Sequence, residues 1–177
     1  MSGATARREI CIDHGMRPCR LEGFSYVGCQ RYFLTACTFD RRRHFTKKPI
    51  VDVAYGEFLR TSAEFGFAIL AYCFMPDHAH LLVEGSTEGA DFRGFAALSK
   101  QLSGYAVRTL ITGRLWQKGY FERVLRDEDD TFNVARYVVD NPVRAGLVRS
   151  PADYPFLGSA VLSKDDLIGS CMWSGGA

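Results

Sequence analysis

Phe67-Ala-Ile-Leu-Ala-Tyr-Cys-Phe-Met-Pro-Asp-His-Ala-His-Leu-Leu-Val-Glu84 holds two apolar runs on either side of Pro76-Asp77. Phe67 to Phe74 is short, apolar and bounded by turn residues, which is the pattern of a buried strand. Proline presets φ and aspartate bonds nearby backbone, so Pro76-Asp77 reads as a tight turn. His78 to Glu84 then returns as a second strand, and the pair is a hairpin. Side chains two residues apart on a strand share a face. Ala79, Leu81 and Val83 therefore form an apolar face suited to a core. His78, His80, Leu82 and Glu84 share the other face, which begins with two adjacent imidazoles.

The flanking segments extend the pattern. Tyr32 to Phe39 is aromatic and β-branched, hence a strand. Arg41 to Lys48 is a basic loop, and Pro49 suits the first turn of a helix running to Phe65, with apolar Val53, Phe58 and Phe65. Glu88 to Ile111 carries Phe92, Phe95, Leu98, Leu102, Tyr105 and Leu110 near helical spacing, and Gly113 can end that helix. Tyr120 to Leu125 reads as a short strand. Asp130 or Thr131 caps a helix through about Val139, which Pro142 interrupts; Asn141-Pro142 can start a second short helix reaching Val148. The order β-α-β-β-α-β predicts an α+β fold: a ferredoxin-like sandwich with a central antiparallel sheet, helices on one face and extra C-terminal helices. Residues 1–29 read as an N-terminal extension, 30–160 as the folded domain and 161–177 as a loose C-terminal tail.

The chain has 177 residues, the size of one ordinary domain. Its formal charge of +2 does not by itself announce nucleic-acid binding. The distribution says more: Arg41, Arg42, Arg43, Lys47 and Lys48 cluster, and Asp127 to Asp130 form an acidic patch. No apolar run approaches the length of about 20 residues needed to span a membrane, and Met1 to Arg20 lacks a signal-peptide core, so a cytoplasmic location is expected. The six cysteines include no CxxC pair, which argues against a zinc ribbon and for reduced structural thiols; a cysteine-bound metal in the N-terminal third is the alternative.

Two imidazoles on one strand face are what a divalent ion such as Mg²⁺ or Mn²⁺ can use, or they are simply hydrogen-bonded histidines. Only His14 and His44 remain elsewhere, so an all-histidine site is restricted, and one oxygen ligand with a substrate phosphate would complete the shell. Tyr137 and Asn141 stand four apart, one above the other on a helix. Asn141 is a candidate third ligand or a helix cap. Tyr137 is a candidate nucleophile or a packed aromatic. Asp77 either bonds a ligand imidazole or only makes the turn. Arg41, Arg42, Arg43, Arg136 and Arg144 are candidate DNA contacts; a solvated loop is the other reading of the first three.

Met75-Pro-Asp-His-Ala-His-Leu-Leu-Val83 resembles the histidine-hydrophobe-histidine motif of the single-tyrosine HUH transposases. Gly113-Arg-Leu-Trp-Gln-Lys-Gly-Tyr-Phe-Glu122 resembles the region after their long helix. Ala135-Arg-Tyr-Val-Val-Asp-Asn-Pro-Val-Arg-Ala-Gly-Leu-Val148 is similar to the signature of the REP-associated tyrosine transposase branch, and Tyr154-Pro-Phe-Leu-Gly-Ser-Ala160 to the segment closing that domain. The resemblance covers residues 30–160, which it makes a transposase (HUH endonuclease) domain. It implies that His78 and His80 bind the metal, that Tyr137 is the nucleophile, and that Asn141, a Gln in related insertion-sequence transposases, is a candidate third ligand. It further implies cleavage and rejoining of single-stranded or hairpin DNA through a 5′-phosphotyrosine, by a monomer or homodimer. A catalytically silent DNA-binding protein of the same fold is the alternative. An unrelated HxH metal hydrolase is a third reading, disfavoured by the shortage of further His and acidic ligands near the strand.

Overall fold

The computed structural model describes residues 23–126 and 128–172. Expectations for residues 1–22, His14, Cys11 and Cys19 among them, lie outside the described residues, as does Asp127 of the acidic patch. The elements are β1 (Arg31–Cys37), α1 (Lys48–Glu64), β2 (Phe67–Met75), β3 (His78–Gly85), α2 (Phe92–Ala106), β4 (Phe121–Leu125), α3 (Glu128–Arg144), β5 (Leu157–Gly158) and α4 (Lys164–Met172). The sheet runs β4-β1-β3-β2-β5 with every neighbour antiparallel. The first four strands follow the expected β-α-β-β-α-β order, and β5 extends the β2 edge.

β1 and β3 occupy the middle of the sheet, and their residues are buried almost throughout. Ala79, Leu81 and Val83 point to one face with Tyr32 and Leu34, where α1 and α2 cover them with Phe58, Phe92 and Phe95. Aromatic rings dominate this side; Tyr32 stacks on Phe92 at 4.0 Å between centroids. The segment before β1 joins the same core. Tyr26 is buried there, and its carbonyl accepts from the Phe92 N–H at 3.0 Å.

The structure departs from the expected one-sided sandwich on the second face. Phe33, Ala71, Cys73 and Leu82 form an apolar surface there, and Val134, Val138 and Val139 of α3 bury it. Leu167, Ile168 and Cys171 of α4 extend this second core, so residues 164–172 are a packed helix and not a loose tail. A sheet with apolar side chains on both faces must be covered on both.

The helix expected to break at Pro142 continues through it, because the proline falls in the last turn. A proline deletes one helical hydrogen bond, here to the Val138 carbonyl, and few turns remain downstream to be lost. The Ala145 N–H still reaches the Asn141 carbonyl at 2.9 Å. α2 begins later than the hydrophobic pattern suggests, at Phe92, since the Asp91 carboxylate caps it by accepting from the Arg93 N–H at 3.0 Å. It also ends at Ala106, where a tighter 3₁₀ turn, Val107–Thr109, takes over.

Candidate active site

Register places the site. His80 on β3 pairs directly with Thr35 on β1, so both side chains rise from the same face, and Thr35 Oγ1 is hydrogen-bonded to His80 Nδ1 at 2.9 Å. The imidazole of His80 is buried and stacks on Phe33 at 5.3 Å. His78, one pleat earlier, stands with its Nε2 3.1 Å from the Nε2 of His80. Its Nδ1 lies 2.6 Å from Asp77 Oδ1. A carboxylate only accepts, so His78 Nδ1 carries a proton, and in the neutral imidazole this leaves the lone pair on Nε2. The turn residue Asp77 therefore bonds the imidazole directly.

α3 closes over this pair. The ring of Tyr137 meets His80 at 5.5 Å and Phe33 at 5.8 Å, both edge-to-face. Asn141 hydrogen-bonds the Tyr137 side chain from one turn further on, and the Arg144 guanidinium lies 5.4 Å over the Tyr137 ring. Burial pushes the Tyr137 hydroxyl above its ordinary pKa; the Asn141 hydrogen bond and the Arg144 charge pull the other way. The four residues read from sequence as the chemical centre, His78, His80, Tyr137 and Asn141, thus gather on one side of the sheet although some sixty residues separate the two pairs.

The donor set of the histidine pair fits a divalent ion. The two Nε2 atoms stand 3.1 Å apart on one face of β3, so His78 and His80 would both be able to bond one ion. The partners of the two Nδ1 atoms orient the rings. The Thr35 hydroxyl both donates and accepts, so it suits either tautomer of His80. Among the described residues no group of three or more His, Cys, Asp or Glu could hold a metal, so an ion here needs Asn141, substrate or water as well.

The expected DNA contacts divide. Arg42 and Arg43 are exposed and, with His44, Lys47 and Thr112, line a basic cavity of about 310 Å³. Arg144 is at Tyr137. Arg136 lies on the adjacent helix face, where its Nε donates to the Cys171 carbonyl at 3.1 Å and its guanidinium sits 5.2 Å over Phe132. Arg41 is ion-paired with Asp77, its Nε 3.1 Å from Oδ2. Sequence reasoning missed Thr35 and Phe33, whose signal was the pairing of β1 with β3 and not any local motif. Of the cysteines, Cys29, Cys37, Cys73 and Cys171 are free thiols.

Residues 27–141 match the family model described as transposase IS200 like. The chain belongs to the IS200-like transposase family. A Haemophilus influenzae protein that carries the name REP-associated tyrosine transposase is 25% identical over 137 residues, 71% of this chain and 77% of the relative. A solved structure of a REP-associated tyrosine transposase bound to a REP hairpin superposes with a TM-score of 0.67 at 22% identity, covering 80% of this chain and 82% of that one. The α+β fold of this IS200-like transposase is that of the REP-associated enzymes. Among its described residues no helix is long and apolar enough to cross a membrane.

Proposed function

We propose that this chain is a metal-dependent transposase that cleaves and rejoins single-stranded DNA hairpins through a covalent 5′-phosphotyrosine. The observation that carries the reading is the contact of Tyr137 with His80 inside one chain, at 5.5 Å between ring centroids. That contact supports a nucleophile and a metal pair acting together in cis. The family supports strand transfer as the chemistry, and the hairpin held by the similar solved structure supports a folded single strand as the substrate.

Each residue has a role in this reading. His78 and His80 hold the ion, with Asn141 as third ligand; when bound, the ion stabilises charge on the scissile phosphate. Tyr137 attacks the phosphorus in line. Its hydroxyl loses a proton, the tyrosyl-phosphate bond forms, and the bond to the 3′ oxygen breaks to release a 3′-OH. The ester bond energy is kept, so a second 3′-OH can displace Tyr137 and reseal the strand. Arg144 over the Tyr137 ring favours the phenolate and is placed for the adjoining phosphate. Arg42 and Arg43 provide backbone contacts that fall off with salt.

The test is incubation of end-labelled hairpin DNA from the gene's flanks with protein and Mn²⁺ or Mg²⁺, read on a denaturing gel. A protein-linked band that requires metal and vanishes in Tyr137→Phe is expected. Tight hairpin binding with no adduct under either metal would instead favour the silent DNA-binding reading.

A further inference from the structure

We infer that Arg41 is a positioning residue for His78, acting through Asp77, and not a contact to DNA. The inference rests on the reading of His78 and His80 as a metal pair, and it separates Arg41 from its basic neighbours.

The loop after β1 is tied to the turn between β2 and β3. The Thr38 N–H donates to the Asp77 carbonyl at 2.9 Å, and the Thr38 hydroxyl lies 2.9 Å from the same oxygen and 2.8 Å from the Arg42 carbonyl. The Phe45 N–H donates to the Pro76 carbonyl at 3.0 Å. Between these ties Asp40 and Arg41 both adopt φ +53°, a left-handed conformation unfavourable for residues with a Cβ. Such a backbone persists only where its surroundings over-determine it.

This turn delivers the Arg41 guanidinium to Asp77. Nε forms an ion pair with Asp77 Oδ2 at 3.1 Å, and Nη1 donates to Cys37 Sγ at 2.8 Å. Asp77 Oδ1 meanwhile accepts from His78 Nδ1 at 2.6 Å. The last torsion of an aspartate is broad, so a carboxylate held at one oxygen can still swing. Held at both oxygens it cannot, and the imidazole it bonds is fixed in tautomer and plane. Arg42 and Arg43 differ: they are exposed and line the basic cavity beside Lys47 and Thr112.

The test compares full-length Arg41→Ala, Arg41→Lys, Asp77→Asn and Arg42→Ala. Mn²⁺ affinity is measured by calorimetric titration without DNA. Hairpin affinity is measured in EDTA across a salt series, and thermal melts check folding. Arg41→Ala and Asp77→Asn should weaken Mn²⁺ binding by about 10- to 100-fold, the range for partners of a ligating histidine, with Arg41→Lys intermediate. Hairpin binding by the three should stay within about twofold of wild type, while Arg42→Ala loses affinity and about one unit of salt slope. Unchanged Mn²⁺ affinity in Arg41→Ala, or a loss of hairpin affinity like that of Arg42→Ala, overturns the inference. Nitrogen-15 spectra of the histidine rings add an arm that needs no metal. The wild type should show a single His78 tautomer protonated at Nδ1, which becomes mixed in Arg41→Ala and partly so in Arg41→Lys. If wild type binds no Mn²⁺, the metal reading fails by itself. A His78 spectrum indifferent to Arg41 overturns the positioning role in either case.

Discussion

Tyr32 and Thr35 lie three residues apart on β1 and so face opposite cores, and each carries a hydroxyl with a distinct consequence. Tyr32 is fully buried with no hydrogen-bond partner for its hydroxyl among the described residues. Burial, with the charges of Tyr26 and Asp91 adding, pushes its pKa up to about 12. A phenol whose folded pKa exceeds the unfolded value contributes stability that is fully present below pH about 10 and is lost as pH rises toward the folded value. Between pH about 10 and 12 this group alone should cost about 1.4 kcal/mol per pH unit. Tyr55, Tyr72 and Tyr154 are raised in the same direction by burial, so alkaline unfolding should be steep. Tyr32→Phe is expected to leave stability at pH 7 unchanged or slightly higher and to soften the loss at pH 11, as urea midpoints at the two pH values would report. Thr35→Val keeps the shape but removes the hydroxyl beside His80 Nδ1. It should weaken Mn²⁺ binding by about tenfold, while Thr35→Ser retains most of it; calorimetric titration decides.

At the level of the elements, β3 is constrained at both ends. Its first residues carry the histidine pair, and its last, Gly85, passes against the backbone carbonyl of Gly28, so closely that an added Cβ would collide with that oxygen. The Gly85 N–H also donates to the Gln30 carbonyl at 2.9 Å, which leaves the strand no room to shift. Gly85→Ala should destabilise the fold by about 2 kcal/mol or more, as overpacking against rigid backbone does, and a thermal melt would show a drop of several degrees. α3 illustrates the reverse case. Its proline looks like a stop in the sequence, yet it sits close enough to Arg144 at the C-terminus that the helix survives with Tyr137 and Asn141 in register. Propensity counts local turns, whereas the valines at 134, 138 and 139 are held by the sheet beneath them.

The whole molecule is a sheet between two unlike layers. The α1/α2 side is packed with aromatic rings and holds the architecture together. The α3/α4 side is smaller and carries the site, so whatever steadies α3 also steadies Tyr137. α4 does so through Leu167, Ile168 and Cys171, and through the Arg136 bond to its last turn. Each buried apolar side chain of this kind contributes on the order of 1.5 kcal/mol. Removing residues 164–177 is therefore expected to lower the denaturation free energy by about 4 kcal/mol and to reduce adduct formation in parallel, while hairpin binding through Arg42 and Arg43 persists. Denaturant titration together with the labelled-hairpin gel would check both halves.

The sequence by itself determined the β-α-β-β-α-β order, the inward face of Ala79, Leu81 and Val83, and the pairing of His78 with His80, because these follow from period-two and helical patterns within single segments. It also determined the family, through motifs that stand in order along the chain. Only the tertiary structure decided that both sheet faces are covered, that α4 is packed, and that Tyr137 rests on His80. It alone separated Arg41, held at Asp77, from Arg42 and Arg43 at the basic cavity. The physical reason is the same in each case. A strand or helix advertises its own periodicity, but which residue stands opposite Thr35, or which carboxylate an arginine reaches, is fixed by inter-strand register and by the packing of distant segments, and those leave no local trace.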